Sequence, residues 1–213
     1  MATPPPPPPA SPAAPDGRVV HTVLEDGEAV CLRTIRPGDE ARMREGIAKM
    51  SPQSRYLRFF SGARTPPDWV IERLLDADGD RHLAWGAIAT DAPGEPAIGA
   101  VHVFREEDDP QCAEFSVAIL DAWHGRGLGK LLTATILLDA QEEGIEAFHV
   151  DTLAENRRAI EFTLSLGGKA QARDGAPDGT TSGWMLDVAG ALAVLKEECD
   201  PPGIAAVFAA FEG

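Results

Sequence analysis

The sequence predicts an α/β chain built on a mixed central sheet, with antiparallel strands first, a strand–helix–strand unit after them, and helices on both faces. Three observations carry that prediction. The β-type runs "HLAWGAIAT", "PAIGAVHVF" and "AEFSVAIL", spanning 82–90, 96–104 and 113–120, are separated only by the turn-rich "DAPGEP" and the acidic "REEDDP", as in an antiparallel meander. The third run leads into "HGRGLG" at 124–129, a helix marked by Leu128, Leu131, Leu132 and Ile136, and a further strand, "AFHVDTLA". Finally, 213 residues with 44% apolar content fit one decorated domain better than two.

In chain order, Met1 to Asp16 hold the run "PPPPPP" among alanine, serine and threonine, a composition that cannot build a core. The expected organisation is a proline-rich tail over 1–17 and a single domain over 18–213. "GEAVCLRTIR" reads as a strand, and "PGD", ending at Asp39, as a turn and helix cap before Met43, Gly46, Ile47 and Met50 at helical spacing. Thr65-Pro66-Pro67 starts a second helix, with Ile71, Leu74 and Leu75 as its buried face. The helix after the glycine turn should end near Gly144. "ENRRAIEFTLSLGG" is a helix stopped by glycines, "TTSGWMLDV" a late strand, and the stretch after Val188 helical in pieces.

Composition narrows the function. A formal charge of −15 disfavours nucleic acid, whose phosphates need lysines and arginines, and favours a cationic partner. Cys31, Cys112 and Cys199 are dispersed without a CxxC pair, so neither a disulfide framework nor a zinc site is expected, and no other metal constellation is visible. No window offers the roughly 18 apolar residues of a membrane span, and no secretory leader is evident. A cytoplasmic protein without membrane association is the expectation.

The glycine turn is the chemical signal. A helix N-terminus presents unpaired N–H groups and partial positive charge, and glycines let a bulky anion approach them. Gly125, Gly127 and Gly129 therefore suggest a phosphate cradle. A P-loop is excluded because Lys130 is followed by Leu131 rather than a hydroxyl residue, and a dinucleotide fingerprint fits poorly because the spacing is GxGxG after antiparallel strands. The stretch His124-Gly125-Arg126-Gly127-Leu128-Gly129 instead resembles the (Gln/Arg)xxGx(Gly/Ala) pyrophosphate loop of the GNAT N-acetyltransferase family, with histidine in the first position. Downstream, "ENRRAIEFTLSLGG" is similar to that family's NxxAIxFYxxxGF helix, with Asn156, Ala159 and Ile160 in place.

The resemblance, over roughly Glu28 to Val188, implies a GNAT fold, acetyl-CoA as cosubstrate, and an amine acceptor. It implies coenzyme contacts from Val117, Ala118 and Ile119 to the pantetheine, from His124 to Lys130 to the pyrophosphate, and from Asn156. Glu114 to Leu120 would extend roughly 20 Å at about 3.3 Å per residue, comparable to a pantetheine arm. Arg126, Lys130, Arg157 and Arg158 are the cations expected near the phosphates. Glu114, in an "AEFxV" context, is the implied general base, needed because a protonated amine has no lone pair. Alternation puts Glu114, Ser116 and Ala118 on one strand face, where a carboxylate inside an apolar strand is costly. The family's tyrosine acid is replaced by Thr163, a hydroxyl better suited to packing, and its final phenylalanine by Gly168.

The stretch "SPQSRYLRFF", Ser51 to Phe60, resembles the SPxSxYxRFF segment of bacterial protein lysine acetyltransferases that modify acyl-CoA synthetases. A protein lysine acceptor follows from that likeness. A small-molecule amine is the alternative, and an acyl-CoA sensor without strong catalysis is a third reading. Arg55, Tyr56 and Arg58 are expected to anchor two helices, and His82 and His102 to be ordinary strand residues.

Overall fold

The computed structural model describes residues 17–60, 63, 65–171 and 181–212, so the proline-rich segment lies outside the described residues. The strands are β1 (Val19–Val23), β2 (Ala29–Thr34), β3 (His82–Ala89), β4 (Ala97–Arg105), β5 (Cys112–Ile119), β6 (Ala147–Leu153), β7 (Lys169–Ala170) and β8 (Thr181–Asp187). They form one sheet in the order β1-β2-β3-β4-β5-β6-β8-β7, with β5–β6 its parallel pair. The meander and the strand–helix–strand crossover are thus as the sequence indicated.

Strand alternation sorts the sheet into two apolar faces. On one, Val101, Val103 and Phe115 pack with Leu131, Leu132 and Ile136 of α4 (Leu128–Glu142). The helices α6 (Val188–Glu198) and α7 (Ile204–Ala209) cover α4 from outside, so α4 is buried nearly all round. On the other face, Ile35, Ala84 and Ala100 pack with Ile47 of α1 (Glu40–Lys49) and Ile71 and Leu75 of α3 (Asp68–Leu75). Two further helices flank the cleft described below: α2 (Pro52–Phe59) and α5 (Arg157–Ser165).

Three local features differ from the sequence expectation. β1 was not anticipated, because its buried residues are Val20 and Thr22 while Val19 and Val23 face outward. Thr22 is satisfied by donating its hydroxyl to the Gly203 carbonyl at 2.6 Å, a partner 181 positions away. Asp39 stands at the N-cap position of α1, but its side chain makes no capping bond to the helix. Its carboxylate accepts from the Arg33 guanidinium and, at 2.9 Å, from the Arg36 N–H, so it closes the turn instead. Lastly, α2 has no buried residue, hence no apolar stripe to read, although Ser51 at its N-cap and Pro52 in its first turn are helix-start signals.

Candidate active site

β5 and β6 are paired only from Cys112↔Ala147 to Glu114↔His149. Beyond Glu114, β5 continues against β4 as far as Ile119, and β6 continues against β8. The strands splay apart there. The opening is a cleft of about 630 Å³, bordered by β5, β6, α2, α5 and the start of α4. That volume suits a sizeable small molecule. One wall is the open backbone edge of β5, a surface on which an extended, amide-containing chain can add like a strand.

At one end of the cleft lies the glycine turn. Gly125 and Gly127 have φ of +70° and +82°, values costly for any other residue, and Gly127 stands at the N-cap of α4. A Cβ on Gly127 would also lie 2.6 Å from the Pro201 side chain, so glycine is required twice over. The first intrahelical bond runs from the Leu131 N–H to the Gly127 carbonyl at 3.2 Å. The N–H groups of Leu128, Gly129 and Lys130 precede it, leaving donors at the positive end of a 15-residue helix. His124 donates its ring Nε2–H to the Ile119 carbonyl at 2.9 Å, tying the turn to the end of β5.

Of the residues expected to hold a coenzyme, Val117, Ala118, Ile119, His124, Gly125, Gly127, Leu128, Gly129, Lys130 and Asn156 all border this cleft. Arg126 does not. Its guanidinium stacks over Trp123 at 4.3 Å, bonds Asp26, and reaches Glu28 at 3.5 Å, which fixes the β1–β2 turn against the loop. Lys130 faces the cleft while paired at 2.9 Å with both Glu198 and Asp200, so part of its charge is already compensated. Asn156 caps α5 by accepting from the Ala159 N–H at 3.2 Å, and Arg158 borders the cleft beside it. Thr163 is buried and donates to the Ala159 carbonyl at 2.8 Å, in keeping with packing. A Cβ on Gly168 would meet the Thr163 methyl at 2.6 Å, which accounts for glycine where the family pattern has a large residue.

At the other end, Glu114 stands where the splay begins, with Phe104 and His149 as its register partners on β4 and β6. It is exposed rather than enclosed in an apolar strand, which corrects the burial argument made for it from sequence. The β5–β6 pairing stops at Glu114 and the cleft opens there, so the carboxylate keeps its solvent. His149 lies 3.6 Å from Glu106, and Asp151 borders the same cleft.

The helix α2 is fastened over this end by side chains. Asp121, just after β5, accepts from the Ser51 N–H at 3.0 Å, the Ser51 hydroxyl at 2.9 Å and the Ser54 hydroxyl at 2.6 Å. Partial burial pushes its carboxyl upward, but these donors outweigh it and bring the pKa down to about 2. Arg55 bonds the Met50 carbonyl, and Arg58 donates to Ser116 Oγ at 2.9 Å. Arg55 thus ties α2 to the end of α1, as expected, whereas Arg58 ties α2 to β5 rather than to a second helix. Tyr56 is exposed and does not border the cleft, whereas Leu57, Arg58 and Phe60 do. His82 and His102 are buried and bonded to each other at 3.1 Å.

A splayed parallel pair, an anion-ready helix start at one end of the opening and a carboxylate at the other are the elements that an acyl transfer from a phosphorylated coenzyme needs. A family model described as "Acetyltransferase (GNAT) family" matches residues 52–167, more than half the chain. The chain belongs to that family, as an N-acetyltransferase whose relatives take acetyl-CoA and an acceptor. It is 30% identical over 144 residues to the acetyltransferase Pat of Mycolicibacterium smegmatis, covering 68% of this chain and 42% of that one. It thus spans less than half of that relative. A Pseudomonas aeruginosa acetyltransferase is 28% identical over 158 residues, covering 74% and 83% of the two chains. The GNAT domain of S. lividans PAT superposes with a TM-score of 0.71 at 23% identity, covering 79% of this chain and 96% of that domain.

Among the described residues, no helix is long and apolar enough to cross a membrane.

Proposed function

We propose that this chain transfers acetyl from acetyl-CoA directly to the ε-amine of a protein lysine, with Glu114 as general base. The observation that carries the reading is the position of Glu114: an exposed carboxylate at the apex of the splay, opposite the glycine turn. With pantetheine along the β5 edge and pyrophosphate on the N–H groups of Leu128, Gly129 and Lys130, the thioester comes to the Glu114 end. Val117, Ala118 and Ile119 hold the arm, while His124, Gly125, Arg126 and Gly127 shape the loop and Asn156 closes the opposite wall.

The chemistry is balanced simply. Lysine arrives as an ammonium, and Glu114 takes one proton, directly or through water. The free amine attacks the thioester carbonyl, the C–S bond breaks as the tetrahedral intermediate collapses, the nitrogen releases its second proton to water, and the thiolate takes a proton from water. Thr163, its hydroxyl committed to Ala159, is not given the acid role. The formal charge of −15 favours the approach of a cationic acceptor.

The protein-lysine assignment, and acyl-CoA synthetases as the target class, rest on the likeness of "SPQSRYLRFF" to the protein lysine acetyltransferases and on the similarity to Pat. Labelled acetyl-CoA incubated with the protein and a purified acyl-CoA synthetase tests it. Label is expected in lysine residues of the synthetase. Label entering only small amines of a cell extract would overturn the lysine reading, and no transfer to either would favour a sensor.

A further inference from the structure

Both cations of the glycine turn are engaged by carboxylates from outside it. Arg126 is held by Asp26 and Glu28 and does not border the cleft. Lys130 does border it, and its ammonium lies 2.9 Å from Glu198 and 2.9 Å from Asp200. One ammonium against two carboxylates leaves this rim with a net charge of −1. A rim of that sign opposes an anion at the N–H groups of Leu128, Gly129 and Lys130, the donors that α4 offers.

The two carboxylates come from a part of the chain outside the strand–helix–strand unit. Glu198 is the last residue of α6 and Asp200 follows the Cys199 C-cap, both beyond the residues 52–167 that match the family. A carboxylate in the last turn of a helix sits against the negative end of the helix dipole, so α6 gains nothing from Glu198 by itself. The compensating charge is Lys130, in the first turn of α4.

The corner that carries these carboxylates is fixed from two sides. Pro201 is buried and packs against Gly127, and the Gly203 carbonyl accepts from the Thr22 hydroxyl of β1 at 2.6 Å. A Cβ on Gly203 would stand 2.1 Å from the Val23 carbonyl oxygen, so the corner has no room to shift toward β1. Lys130, by contrast, carries its charge on a flexible four-carbon stem. Partial burial works against that charge, but Asp200 and Glu198 outweigh it and hold the Lys130 pKa above the ordinary lysine value.

We infer that Glu198 and Asp200 form an acidic clasp that competes with the coenzyme phosphates for Lys130, so that the corner between α6 and α7 sets how tightly the chain holds its coenzyme. This rests on the reading that pyrophosphate sits at the start of α4. The corner stays in place while the Lys130 ammonium exchanges its two carboxylates for phosphate. Each coenzyme that binds breaks those ion pairs, and each that leaves restores them. The grip on acetyl-CoA, and on the CoA left after transfer, is weakened alike. The Glu198 and Asp200 side chains are 41% and 53% exposed, so the competition is electrostatic, modest and screened by salt.

The test is calorimetric titration of acetyl-CoA into the wild type, Glu198→Gln/Asp200→Asn, Lys130→Met and the triple variant, each checked for folding by its melting temperature without ligand. Neutralising both carboxylates should lower Kd by about three- to tenfold at low salt, the scale of two partly exposed ion pairs. The gain should shrink to less than about twofold at about 0.5 M salt, where the screening length is a few ångströms. In the Lys130→Met background the same two substitutions should also change Kd by less than about twofold, because no ammonium is left to release. Asp200→Asn alone should give a smaller gain in the same direction, and it stands in for the double variant if that does not fold. An unchanged or raised Kd would overturn the inference, a rise meaning that the corner presents Lys130 to phosphate rather than withholding it. An equal gain with and without Lys130 would overturn it as well, by assigning the effect to net charge. A wild type that does not bind acetyl-CoA would instead overturn the coenzyme reading, so the two failures are distinguishable.

Discussion

The two ends of the cleft are built from different materials. The end proposed for the coenzyme is made largely of backbone: an open strand edge, two glycines at positive φ, and the first N–H groups of a long helix. The end proposed for the acceptor is made of side chains from separate parts of the chain, with Ser51 and Ser54 reaching Asp121 across about seventy positions and Arg58 reaching Ser116 across 58. A backbone site depends on local conformation and tolerates exchange of side chains, as His124 in a glutamine or arginine position illustrates. A side-chain site depends on tertiary ties, each of which one substitution can cut.

The largest expected effect breaks the backbone end. Gly127→Val puts a β-branched residue at φ of +82° and a Cβ 2.6 Å from Pro201. Acetyl-CoA should then give no rise in melting temperature, and the variant should melt earlier than the parent.

The next prediction concerns acid, on the side-chain end. Neutral buried His82 and His102 bind fewer protons than they do in the unfolded chain, and both are shifted downward, burial being the main cause. Their contribution to stability is therefore full above the unfolded value of about 6.5 and is lost as pH falls below it, at up to about 1.4 kcal/mol per pH unit for each proton. Denaturant unfolding at pH 7.5 and 5.5 checks this: His82→Phe/His102→Phe should lose less stability over that interval than the wild type.

Asn156→Ala should cost about 1 kcal/mol through loss of the α5 cap, together with a several-fold higher KM for acetyl-CoA. Thermal unfolding and initial rates measure the two effects. Arg126→Ala is the smallest: because its guanidinium is spent on Asp26 and Glu28, the KM for acetyl-CoA should change by less than about twofold. A tenfold rise would show that Arg126 leaves those carboxylates for the phosphates.

The same contrast explains what the sequence made legible. Glycine spacing, the helical repeat of Leu128, Leu131, Leu132 and Ile136, and the helix read in "ENRRAIEFTLSLGG" are local patterns, and each has its counterpart in the structure. The splay was not legible, because it consists of hydrogen bonds that β5 and β6 do not make, and no residue marks where a ladder stops. β1 escaped because its buried threonine is satisfied only by Gly203 near the far end of the chain. The Arg58–Ser116 bond lay within a segment already expected to anchor helices, but its partner could not be read from spacing. Glu114 was singled out for a burial cost it does not pay, and its interest now comes from its place at the mouth.

Glu114→Gln tests the central claim, that one end of the cleft holds coenzyme and the other does chemistry. The account predicts an unchanged rise in melting temperature with acetyl-CoA and a fall in kcat of about 10²-fold or more, the scale of general-base catalysis. Turnover equal to the wild type, or loss of the acetyl-CoA response along with activity, would contradict it.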